Sequence, residues 1–188
     1  FRSAQGRFPQ SPQIACNLGY CALLDYYHRL PPEYWTAHGV GQVQLPGFAR
    51  FVPVPPRRTR TEDELAGLRR LWKEAVVALE EAVRLDPAYC LARANLGLAR
   101  LLSPDGPDLE PAVEELMRAL SAMPEAADVP KGLASATQNN LGVAWAAAGD
   151  VGRARECFEA AAVDDDAGIA DASRINLCLL TMEGAKGD

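Results

Sequence analysis

"NNLGVAWAAAGDVGRARECFEAA", residues 139–161, holds two apolar helical patterns that meet at Gly149-Asp150. In the second pattern Ala154, Phe158, Ala161 and then Asp166 follow at steps of four, three and five. The same steps recur at Ala112, Leu116, Ala119 and Pro124, and again at Ala75, Leu79, Ala82 and Pro87. Steps of four and three keep residues on one helical face. Alanines there let a neighbouring helix approach, and the bulky residue fills the space between them. Proline then stops the helix, because its ring clashes with the preceding turn. In the last copy Asp164–Asp166 is expected to do a similar job, since carboxylates are unfavourable at a helix C-terminus.

A partner pattern precedes each of these helices. Asn-Leu-Gly stands at Asn17–Gly19, Asn95–Gly97 and Asn140–Gly142, with the variant Asn176-Leu177-Cys178 near the end. Glycine inside a helix costs about 1 kcal/mol against alanine. Its recurrence therefore predicts close helix packing at that point. Gly149 suits a left-handed helix end, and Asp150 suits the cap of the next helix. The chain thus reads as alternating helices, A then B, joined by short turns.

This alternation resembles the tetratricopeptide repeat family, in which an Asn/Leu/Gly-bearing helix A precedes an Ala-x3-Phe-x2-Ala helix B. The resemblance covers residues 12–30 and 62–181. It departs from the family at helix A, where Arg93 and Gln138 stand in place of the usual tryptophan. It implies an all-α solenoid of antiparallel helix hairpins, forming a single domain over residues 1–188. Residues 1–11 and 182–188 are expected as tails, 12–30 as the first helix A, 31–60 as an insertion and 61–181 as the remaining repeats. The expected helices are 12–29, 62–85, 88–102, 108–122, 133–148, 151–163 and 168–181. Thr61 with Glu64 forms a capping box. Asp108 is expected to cap the 108–122 helix, or Pro111 to sit in its first turn.

The insertion "PPEYWTAHGVGQVQLPGFARFVPVPPRRTR" holds six prolines and three glycines, so it is not one helix. Tyr34, Trp35, Phe48 and Phe51 predict an ordered loop packed on the repeats, with "GFARFVPV" extended. Arg57, Arg58 and Arg60 read as a solvated basic patch.

A net charge of −6 argues against a general nucleic-acid binder. No run of eighteen apolar residues occurs, so no membrane span is expected. Five cysteines without framework spacing read as buried reduced thiols in a reducing, cytoplasmic setting. The first residue is Phe1, so the chain is expected to be a processed piece of a longer one. No HExxH, Walker loop, GxSxG or GxGxxG occurs. Cys16, Cys21 and His28 lack a usual zinc spacing, and Asp164–Asp166 lacks the alternating ligands of a calcium loop. No catalytic residue, metal or cofactor is therefore assigned.

The resemblance implies that a peptide binds on the concave face built by the A helices. Asn17, Asn95, Asn140 and Asn176 then form a row of amides, each offering a donor and an acceptor to a peptide backbone. Tyr20, Leu98, Asn139 and Val143 neighbour them on that face. Arg93 and Arg174 fall off it, so a carboxylate clamp is not expected and an apolar or uncharged segment is preferred. The other reading of these asparagines is hydrogen bonding between adjacent helices. The functional expectation is a protein–protein interaction scaffold without catalysis. Two alternatives stand beside it: a regulatory or recognition module of a larger enzyme, and a homodimer through the terminal helix, which lacks a following B helix.

Overall fold

A computed structural model describes residues 2–30 and 61–184 of the chain. Among the described residues the structure is helical throughout, without a strand. The helices are α1 (Arg2–Arg7), α2 (Pro12–Arg29), α3 (Glu62–Leu85), α4 (Cys90–Leu101), α5 (Leu109–Ala122), α6 (Leu133–Ala147), α7 (Val151–Ala161) and α8 (Ala167–Gly184), with a short 3-10 turn at Met123–Glu125. The helices anticipated from residue 12 onward all form. The last runs on to Gly184 rather than ending at 181. Residues 2–7 were expected as tail but coil into α1, whose Ala, Gln and Arg are good helix formers. The ordered loop, its extended stretch and the arginine patch expected within 31–60 lie outside the described residues.

Helix ends follow the local chemistry. Ser11 caps α2, its hydroxyl accepting from the Ile14 N–H, with Pro12 opening the helix. Thr61 and Glu64 close a reciprocal capping box on α3. Gly149 ends α6 at φ +83°, and the Asp150 carboxylate accepts from the Arg153 N–H to start α7. Asp108 precedes α5 without a side-chain cap, while Pro111 sits in the first turn. The Asp164–Asp166 run works differently from the reading above. Asp166 accepts from the Gly168 and Ile169 N–H groups, so it starts α8 more than it stops α7.

The helices pair as the repeats foretell: α2 with α3, α4 with α5, and α6 with α7. The α4–α5 pair runs antiparallel. Arg100, late in α4, reaches Asp108 at the start of α5, while Arg93, early in α4, reaches Glu115 further along. Each pair then packs on the next through α3–α4, α5–α6 and α7–α8, and the A-type helices touch in order, α2–α4, α4–α6 and α6–α8. All nine residues of the small–bulky–small series, from Ala75 to Ala161, are 2 % exposed or less. Opposite each bulky residue lies the glycine of helix A. A methyl on Gly19 would meet Leu79 Cγ at 2.6 Å, on Gly97 Leu116 Cγ at 2.7 Å, and on Gly142 Phe158 Cε1 at 2.6 Å. The first of these pairs joins α2 to α3 across the 31–60 insertion.

Candidate protein-docking groove

The asparagine row is placed in a helix seam. Asn95, Asn139, Asn140 and Asn176 are each 3 % exposed or less, as are Leu98 and Val143. Only Asn17 is exposed, and Tyr20 is half-buried. Asn139 Oδ1 accepts from Ser173 Oγ at 3.0 Å and from Asn176 Nδ2 at 2.9 Å, tying α6 to α8. One step earlier in the array the Cys16 thiol of α2 lies against the Asn95 amide of α4. In two places the residue just before an asparagine meets the asparagine of the next A helix: Cys16 with Asn95, and Asn139 with Asn176. As placed, Asn139 and Asn176 serve the A–A contact, Asn95 meets Cys16, and Asn140 is buried.

The two arginines set aside for a carboxylate clamp are also occupied. Arg93 Nη1 donates to Glu115 at 2.6 Å and its Nε to the Pro87 carbonyl at 2.6 Å, with both charged side chains largely buried. Arg174 pairs with Asp171 and donates to the Ala162 carbonyl.

The thiols divide by burial. Cys16 and Cys90 are buried and Cys157 half-buried, but Cys21 and Cys178 are exposed, against the expectation of five buried thiols. All five are free. Burial raises the pKa of Cys16 and of Cys157 to about 11 in each case. Among the described residues no group of three or more His, Cys, Asp or Glu is placed to hold a metal ion. No described helix is long and apolar enough to cross a membrane.

An open surface exists elsewhere, on the first hairpin. There α2, α3 and the Pro9-Gln10 turn enclose a groove of about 1130 Å³. Leu18, Cys21 and Ala22 of α2, with Leu71, Val77 and Ala78 of α3, give it an apolar lining. Asp25, Arg70, Lys73, Glu74, Glu80, Glu81 and Arg84 are its charged members. Val77 is 56 % exposed, unusual for a valine on a helix that otherwise turns its apolar face inward.

The repeat register explains the groove. Aligning the Asn-Leu-Gly triplets sets Leu18 beside Leu96 and Leu141, and Cys21 beside Ala99 and Ala144. The four later residues are 5 % exposed or less. Ala99 faces the preceding B helix: its carbonyl accepts from Trp72 Nε1 at 2.7 Å, and the adjacent Arg100 pairs with Glu80. The face of helix A that an earlier B helix covers in the second and third hairpins is therefore open in the first. This surface was not picked out from the sequence, although its signal was present there. An apolar Leu18–Cys21–Ala22 flank sits on a helix with no B-type pattern before it.

No family model matches the chain, and no curated protein and no solved structure matches it significantly.

Proposed function

We propose that the chain is a TPR-like α-solenoid that acts as a protein-interaction module, docking a segment of a partner in the groove between α2 and α3. The observation that carries this is the half-buried Leu18 and exposed Cys21, against the burial of Leu96, Ala99, Leu141 and Ala144 at the same register in α4 and α6. Apolar surface gathered in a groove and rimmed by charge is the usual character of a docking site. The lining favours an apolar or uncharged segment, and five free thiols favour a reducing, cytoplasmic setting. Catalysis forms no part of the reading. The test is selection from a displayed peptide library on the intact chain and on Val77→Glu. Segments enriched on the wild type and lost on Val77→Glu support the reading. No enrichment, or enrichment indifferent to Val77, defeats it.

A second reading rests on α8. Ile175 is 40 % and Leu179 43 % exposed, one turn apart beside exposed Cys178, and no described helix follows. Two copies joined through this face would form a symmetric dimer. Light scattering on Leu179→Glu, compared with the wild type over a concentration series, decides it.

A further inference from the structure

We infer, resting on the docking reading above, that the groove takes an amphipathic α-helix laid on α2 in the way a B-type helix is laid on the next A helix. An extended peptide is not the occupant. The argument is continuity with the packing inside the molecule. In α4 and α6 the Leu-x2-Ala flank is buried, and a B-type helix packs on each of them: α3 on α4, α5 on α6. In α2 the flank keeps the same spacing and size, with Leu18 followed three residues later by Cys21. Cysteine behaves as a small hydrophobe much like the alanines at the matching places. Side chains stepped by three and four along α2 make a ridge-and-groove surface, which meshes with another helix at the same spacing. A strand repeats its side chains every second residue, a period that does not match that spacing.

Edge chemistry is mixed. Where α3 covers α4, Arg100 beside Ala99 reaches across to Glu80. In α2 the matching residue is Ala22, which carries no charge, while the α3 wall presents both signs, with Arg70 and Lys73 beside Glu74, Glu80 and Glu81. The occupant is thus a helix with an apolar stripe of Val, Leu and Ala size and no single-sign edge.

The chain itself supplies a probe. Residues 108–124, DLEPAVEELMRALSAMP, form α5, which packs on α6. This peptide, labelled at its N-terminus, is titrated into the full chain with anisotropy and circular dichroism as readouts. The inference expects saturable binding and a gain of helicity. It also expects at least tenfold weaker binding to Leu18→Glu and to Val77→Glu, the latter exposed enough to leave the fold intact. A peptide carrying Glu115→Pro, which cannot stay helical, should bind at least tenfold more weakly as well. No binding of the parent peptide, or binding untouched by Glu115→Pro or by both groove variants, overturns the inference. Library selection separates the two levels. Proline-containing extended segments that lose binding on Val77→Glu would sink the helix and leave the docking reading standing; no groove-dependent segment of any kind would sink both.

Discussion

Gly97 of α4 and Leu116 of α5 lie so close that a methyl on the glycine would stand 2.7 Å from Leu116 Cγ and 3.1 Å from the Ala112 carbonyl oxygen. Alanine is the better helix former by about 1 kcal/mol, but overpacking of a tight contact costs about 1–3 kcal/mol. The backbone carbonyl at the same site cannot swing aside. Gly97→Ala should therefore lower stability by about 1–2 kcal/mol in urea unfolding. Combined with Leu116→Ala, which alone costs about 2–5 kcal/mol, the loss should be clearly less than the sum, because the second change removes the clash. Strict additivity would mean the two residues do not oppose each other.

Arg93 gives the second prediction. Its guanidinium serves Glu115 and the Pro87 carbonyl from a nearly buried position. Removing one partner of a buried pair strands the other, so Arg93→Ala should cost about 3–5 kcal/mol. Arg93→Met with Glu115→Leu should recover most of that, since the pair is then replaced by apolar packing. A thermal melt of the double variant as low as that of Arg93→Ala would rule out the stranded charge as the cause.

The asparagines divide by place. Asn139→Ala leaves the Asn176 amide without its acceptor in a buried seam and should cost about 1–3 kcal/mol. Asn17 is exposed on α2, and Asn17→Ala should stay within about 0.5 kcal/mol of the wild type. Denaturant midpoints for the two, measured side by side, check this; equal losses would undo the seam assignment.

Thiol chemistry follows burial. At pH 8 Cys21 and Cys178 should react rapidly with a disulfide reagent, while Cys16, Cys90 and Cys157 lag. Cys16 is raised to about 11 by burial, so the folded chain keeps a proton that the unfolded chain releases near the ordinary thiol pKa. Its effect on stability is absent below that ordinary value. It grows as a loss while the pH climbs toward 11. Melting temperatures at pH 7 and pH 10 should therefore differ more for the wild type than for Cys16→Ala; identical shifts would deny Cys16 the role.

The hairpins were legible in the sequence because the small–bulky–small series and the Asn-Leu-Gly triplets report on side chains that touch. Ala112, Leu116 and Gly97 could be read from spacing alone, and the helix starts at Thr61 and Asp150 from capping chemistry. The asparagines could not. An amide at one register position suits an open surface and a helix seam equally well, and the choice depends on how closely the next A helix approaches. Asp166 was misjudged for a related reason: a carboxylate between two helices repels the end of one and caps the start of the other, and only its hydrogen bonds show which dominates. The groove went unseen because its evidence is comparative. Leu18 and Cys21 look ordinary until set beside Leu96 and Ala99.

Hydrogen exchange read by mass spectrometry, with and without a library-selected segment bound, tests the central claim most directly. The account predicts added protection in residues 18–25 of α2 and 70–84 of α3, with α4 and α6 around Asn95 and Asn140 unchanged. Protection centred on Asn95 and Asn140, with α2 and α3 exchanging as before, would contradict it.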